Sequence, residues 1–268
     1  MKIKILAMNL KRVVDLTNIT TKTTESGTIN LVEDGVFEIK TGSLISRFAD
    51  NQKIFFGQIE IKKLNVLEEG IIGVPNLEKF EKLVKLFDPT DEIEMGTMDG
   101  KIYLKREMPY KFITYPTINP DEKKKVADEV LNVFQMKDDI LQGKTLTWKS
   151  YFVILSHKFS DLLKDCETMG GTLIFPIKFS ENEVKFLIED EASGVKIDRN
   201  LEVSQVIWRE EKKEIIEGEF TYAFDGLLSK IDGKLKVRMT GKNLTMVIER
   251  LDDGDGISCL YLVPSYIR

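Results

Sequence analysis

The chain has 268 residues, room for one large domain or two of about 130 residues each. Apolar residues make up 42% and charged residues 31%, an ordinary globular composition with a well-solvated surface. The formal charge of −5 argues against a simple basic nucleic-acid-binding domain, the single histidine (His157) leaves little scope for histidine-based metal or catalytic sites, and no apolar run approaches the roughly 18–20 residues of a membrane span.

Met1-Lys2-Ile3-Lys4-Ile5-Leu6 alternates apolar and charged residues, which predicts a strand rather than a secretion signal. Leu10-Lys11-Arg12-Val13-Val14 follows, with apolar residues at i, i+3 and i+4, the stripe of a short amphipathic helix. Thr28 to Ile39 reads as two strands around an Asp34-Gly35 hairpin turn. The helical spacing returns at Phe80-Glu81-Lys82-Leu83-Val84, within a stripe of Leu77, Phe80, Val84 and Phe87. A second hairpin follows, Glu92 to Met95 and Lys101 to Leu104 around Asp99-Gly100.

From Asn119 the pattern changes. Pro120-Asp121-Glu122-Lys123-Lys124-Lys125 is a solvated charge run. Val126, Val130, Leu131, Val133 and Phe134 continue it as a partly apolar connector, extended or a short helix, with Asp121 and Glu122 suited to a helix N-terminus. The helical spacing recurs at Phe159-Ser160-Asp161-Leu162-Leu163 and at Phe224-Asp225-Gly226-Leu227-Leu228. Each is followed by a hairpin-like pair: Leu173 to Phe179 with Glu183 to Ile188, then Lys234 to Met239 with Leu244 to Glu249. Four helix-and-hairpin quarters make two similar halves. Two helices per half are too few to cover a parallel sheet on both faces, so an α+β architecture with antiparallel sheets and helices on one side is expected. The expected boundaries are 1–118 for the first domain, 119–147 for the connector and 148–268 for the second domain.

Cys166 and Cys259 stand far apart with no C-x-x-C spacing, which disfavours structural zinc. Two free thiols are the expectation, with a disulfide the alternative. Asp252-Asp253-Gly254-Asp255 lacks the rest of a calcium-loop pattern and reads as an acidic turn between strands. Asp138-Asp139 and Glu189-Asp190-Glu191 are further acidic pairs. No P-loop, G-x-S-x-G or Cys/His arrangement occurs, and neither a cofactor nor a metal is expected.

Three stretches resemble the DNA sliding-clamp family of the PCNA type, found in archaea and eukaryotes and in related phage clamps. They are Leu10-Lys11-Arg12-Val13 after the first strand, Asn76 to Lys85, and the closing Leu260-Tyr261-Leu262-Val263-Pro264. The resemblance implies a non-catalytic ring of three subunits that encircles duplex DNA and acts as a processivity factor. It implies a polymerase, other clamp-binding-peptide proteins and a clamp loader as partners, with no membrane. The setting it implies is the cytoplasm and its nucleoid, or a host cytoplasm for a viral protein. The ring would close through the strand Tyr110 to Ile118 of one subunit and a strand around Val195 to Val203 of the next.

On this resemblance the cations that meet phosphates are Lys11 and Arg12 on the first helix, Lys79, Lys82 and Lys85 on the second, and Lys158, Lys164 and Lys230 in the second half. Spacing alone also fits a plain solvated helix face. The second half is the thinner match, because Asp161, Asp165, Glu167 and Asp225 accompany its lysines. The partner-peptide pocket would take Ile45, Val130, Leu131, Val133, Leu244, Val263 and Pro264, each of which also suits ordinary packing. Two alternatives stand beside the replicative clamp. One is a specialised clamp in checkpoint or late-transcription signalling. The other is an unrelated α+β binding protein, or a hydrolase using an acidic loop.

Overall fold

The alternating start of the chain forms strand β1 (Lys2–Leu6), with Ile3 and Ile5 buried. The computed structural model describes residues 1–23, 27–50, 55–131, 135–137, 140–142, 150–169, 172–174, 183–190, 193–208, 219–220, 228–239, 245–251 and 254–264. The chain divides into two compact units. The first comprises Met1–Thr20, Thr28–Val130 and Asp252–Cys259, and the second Thr21–Gly27, Leu131–Leu251 and Leu260–Arg268.

In the first unit β1 runs directly into helix α1 (Ala7–Thr17). No side chain caps its start. Instead the Ala7 and Met8 amides donate to the carbonyls of Asp91 and Pro89 at 2.8 and 3.0 Å, which satisfies donors that a helix start leaves orphaned. Leu10, Val13 and Val14 are fully buried, as their spacing predicts. At the last turn the Thr17 hydroxyl donates to Val13 O at 2.8 Å and lies 2.9 Å from Ser46 Oγ.

Strands β2 (Thr20–Thr23) and β3 (Gly27–Asn30) form a two-stranded ribbon. The strands β4 (Gly35–Lys40), β5 (Ser43–Ala49), β6 (Phe56–Lys62), β7 (Asn65–Glu68) and β8 (Gly70–Val74) follow. After helix α2 (Leu77–Val84) come β9 (Glu92–Met98), β10 (Lys101–Arg106) and β11 (Lys111–Pro116). One sheet has the order β11-β10-β9-β1-β7, and the other strands lie in the order β8-β4-β5-β6, all antiparallel.

The Asp34-Gly35 hairpin is a misreading. β3 pairs with β2, and β4 pairs with β5 across Thr41-Gly42, where Gly42 has φ +74°. The Asp34 carboxylate instead accepts the Asn76 N–H at 2.9 Å, and a Cβ on Gly35 would stand 2.9 Å from Leu77 Cδ2. The pair therefore anchors the start of α2. The Asp99-Gly100 hairpin stands: β9 pairs with β10, and both turn residues have positive φ (52° and 69°), as a type I′ turn requires. Past β11, Ile118 forms an isolated bridge to Gly73, its amide donating to Gly73 O at 3.1 Å.

The start of the connector is helical, α3 (Asp121–Leu131), with Asn119 Oδ1 accepting the Asp121 N–H at 3.1 Å. The short strands β12 (Gln135–Lys137) and β13 (Ile140–Gln142) pair next.

The second unit repeats the strand-into-helix start with β14 (Ser150–Leu155) and α4 (Ser156–Met169). Then come β15 (Thr172–Ile174), β16 (Glu183–Asp190), β17 (Val195–Glu202), β18 (Gln205–Trp208) and β19 (Glu219–Phe220). The last strands are β20 (Lys234–Met239), β21 (Thr245–Arg250) and β22 (Ile257–Pro264). One sheet has the order β17-β16-β15-β19, and the others lie in the order β18-β14-β20-β21-β22. The expected pairings of the third and fourth quarters are present, β15 with β16 and β20 with β21. Of the fourth helix only Leu228 is among the described residues, and it is buried. Gly254 and Gly256 carry positive φ in the acidic turn before β22, and Cys259 is a buried free thiol. Among the described residues no helix is long and apolar enough to cross a membrane.

Candidate nucleic-acid and partner surfaces

Helix α2 is set by its cap. Asn76 adopts a left-handed conformation (φ 45°), and its Oδ1 accepts the Lys79 N–H at 2.9 Å. The Tyr115 hydroxyl donates to Pro75 O at 2.8 Å just before it. Leu77, Phe80, Val84 and Phe87 are buried, so Lys79, Lys82 and Lys85 are left on the exposed side.

Two of these lysines carry acidic partners one turn back, Lys82 with Glu78 at 2.5 Å and Lys85 with Glu81 at 2.6 Å. The Lys82 hydrogen bond is the main cause that holds the Glu78 carboxyl below its ordinary range, and the Glu81 hydrogen bond is the main cause that raises Lys85. Both pairs lie on the helix surface, where such contacts exchange easily. Lys79 and Lys11 are exposed, with no side-chain partner among the described residues.

A cleft of about 340 Å³ opens between α1 and α2 in the first unit. Ala7, Met8, Val84, Phe87 and Pro89 supply its apolar lining, and Lys11, Arg12, Asp15 and Lys85 its charges. The structure thus brings Lys11, Arg12 and Lys85 together, while Lys79 and Lys82 stand elsewhere on α2.

The cations of the second unit are engaged differently. Lys158 leaves its helix to meet Glu202 of β17 at 2.8 Å, a hydrogen bond that is the main cause lowering the Glu202 pKa. Lys164 lies 3.1 Å from Asp161 on the same helix, and Asp165 meets Arg199 of β17 at 2.8 Å. Lys230 is half-buried in the turn after Leu228.

Of the expected partner-pocket positions, Ile45 is buried on β5 and Val263 is buried on β22. Val130 and Leu131 end α3, and Pro264 ends β22. Val133 and Leu244 lie outside the described residues. The two strands expected at a subunit boundary, β11 and β17, are both terminal strands of their sheets. Pro116 closes β11 there, where a missing N–H costs a sheet little.

Two charged clusters escaped the sequence reading. Arg47, in the largely buried β5, meets Asp128 of α3 at 2.7 Å. In the second unit Arg238 is buried and lies 2.7 Å from Glu249, with its Nε and Nη2 unpartnered among the described residues, and Lys236 sits 4.1 Å over the Tyr151 ring. A basic residue inside a strand was the available signal for both. Among the described residues no group of three His, Cys, Asp or Glu side chains could hold a metal ion.

No protein-family model matches the sequence, nor does any curated protein. Solved structures do match. The crystal structure of PCNA from Thermococcus kodakaraensis superposes with a TM-score of 0.71 at 11% identity, covering 99% of each chain. The PCNA2–PCNA3 complex from Sulfolobus tokodaii matches with a TM-score of 0.67 at 14% identity, again over 99% of each chain. An unrelated α+β architecture is thereby excluded: over its whole length this chain has the antiparallel sheets and few short helices of the PCNA-type sliding-clamp fold.

Proposed function

We propose that this protein is a non-catalytic DNA sliding clamp, a processivity factor that encircles duplex DNA and tethers a polymerase. The observation that carries the reading is the fold likeness to PCNA over 99% of both chains. A clamp holds DNA without reading sequence, through lysines and arginines that meet phosphates and exchange between them. The cations of α1 and α2 suit that task despite a formal charge of −5, with Lys11 and Lys79 exposed and the acidic partners of Lys82 and Lys85 held in exchangeable surface pairs. Lys158, Lys164 and Lys230 would add a weaker contribution.

The ring would close head to tail, β11 of one subunit against β17 of the next. The subunits are identical in this reading, although the Sulfolobus tokodaii structure is a complex of two different PCNAs. The partner peptide would insert an apolar, aromatic plug among Ile45, Val130, Leu131, Val133, Leu244, Val263 and Pro264, a small interface in which a few anchors carry the affinity. A clamp loader would open the ring.

The test has two stages. Light scattering over a dilution series should give a mass near three times 30.7 kDa for a homotrimer. Polymerase extension on primed circular DNA should then become processive when the protein is added. A trimer without polymerase stimulation would favour a specialised checkpoint or late-transcription clamp. If neither trimerisation nor polymerase stimulation appears, the clamp reading fails.

A further inference from the structure

Among the described side chains of helix α3, a charged contact fastens it to the first unit. Among its described side chains Ala127 alone is buried. Asp128 carries the attachment. One of its carboxylate oxygens accepts from Arg47 Nη1 at 2.7 Å, and the other accepts from Lys124 one turn back. Arg47 also donates from Nε to Gln58 Oε1 on β6 at 2.9 Å, and its Nη1 lies 3.9 Å from Glu38 Oε2 on β4. Its planar fork thus addresses two neighbouring strands and one helix together, a geometry that a lysine's single ammonium cannot reproduce.

Both members of the Arg47–Asp128 pair are 19% exposed, so the contact is partly withdrawn from water and screened less than a surface pair. Burial works to raise the Asp128 pKa, but the hydrogen bonds from Lys124 and Arg47 outweigh it and hold the carboxyl below its ordinary range. The contact is therefore fully charged near neutral pH.

The positions of the pair give it a second meaning. Ile45 lies two residues before Arg47 on β5 and shares its face of the strand. Val130 lies two residues after Asp128, in the last turn of α3. Arg47 and Asp128 thus join the two elements that carry the first unit's share of the partner-peptide pocket. We infer that Arg47 is a positioning residue for partner binding, holding α3 and with it Val130 in place relative to the strand of Ile45. The inference rests on the sliding-clamp reading and deepens it.

A double-mutant cycle tests it on the full-length protein, using fluorescence anisotropy of a labelled synthetic peptide that carries a leucine and two adjacent phenylalanines. Arg47→Gln and Asp128→Asn should each weaken peptide binding about tenfold, and the double variant no more than either alone. Arg47→Lys should recover only part of the loss. Amide exchange in α3 should quicken in the weakened variants, while the light-scattering mass and DNA retention stay as in the native protein. Peptide affinity within about twofold of native in Arg47→Gln overturns the role, as does a double variant whose losses multiply, since that means two independent effects. If the native protein fails to bind the peptide, to trimerise and to stimulate a polymerase, the clamp reading itself falls.

Discussion

Phe80 of α2 in the first unit and Phe159 of α4 in the second are the aromatic anchors of two helices that begin different quarters of the repeat. Phe80 lies 6.5 Å from Phe37 and 5.4 Å from Tyr115, and Phe159 lies 6.3 Å from Phe152 and 6.2 Å from Phe186. Each helix drives one aromatic ring into a cluster of sheet aromatics, and each ring is fully buried. The charges on the same helices are used in opposite ways. On α2 the acidic partners of Lys82 and Lys85 belong to the helix itself. On α4, Lys158 and Asp165 both reach β17, through Glu202 and Arg199. One helix leaves its cations available to an outside anion, while the other uses its charges to hold the end strand of its own sheet. Equal cores therefore do not imply equal surfaces, and under the proposed clamp reading phosphate contacts would fall mainly on the first unit.

The largest effects test the equality of the cores. Phe80→Ala and Phe159→Ala should each cost about 3–5 kcal/mol, read by chemical denaturation, since each removes a buried ring and leaves a cavity. A cost near zero for either would break the parity. The next test concerns the inequality of the surfaces. Lys11→Glu with Lys79→Glu should cut retention on nicked circular DNA by about tenfold or more at moderate salt, whereas Lys158→Glu with Lys164→Glu should change it by less than about threefold. Similar losses from both pairs would erase the distinction. The smallest effect sharpens it: Glu202→Gln releases Lys158 and should raise DNA retention, by no more than about twofold.

Acidity offers a further handle on the same pair. The folded pKa of Glu202 is lowered, so its contact with Lys158 contributes at and above the ordinary carboxylate range and fades as pH falls through the lower folded value. The Asp128 contact has the same sign. Both should therefore persist between about pH 5 and 8, and carboxyl NMR titrations should show both midpoints below the ordinary values for their residue types. A midpoint at or above the ordinary value would contradict the contact concerned.

Much of this was legible in the sequence, for identifiable reasons. The i, i+3, i+4 spacing at Leu10, Phe80 and Phe159 marked real helices because each has one buried face. Asp99-Gly100 marked a real turn because both residues adopt positive φ there. Asp34-Gly35 carried the same letters and misled, because its purpose is long-range: a carboxylate for the Asn76 amide and room for Leu77. Local spacing cannot distinguish those two uses. The Lys158–Glu202 contact joins residues 44 apart, and the Arg47–Asp128 contact joins residues 81 apart, so no helical or strand period could reveal either.

Gly73 bears on all of this from a distance. A methyl group there would stand 2.5 Å from the Ile118 carbonyl oxygen, closer than atoms tolerate. The absent side chain lets the backbone of Ile118, past the end of β11, touch β8 at a single point, just before the chain turns into α3. That point fixes where the chain leaves for the connector. Bulk added at position 73 would not loosen the strand that carries it so much as redirect the exit of the chain, and the disturbance would surface three residues past Ile118, where the helix begins.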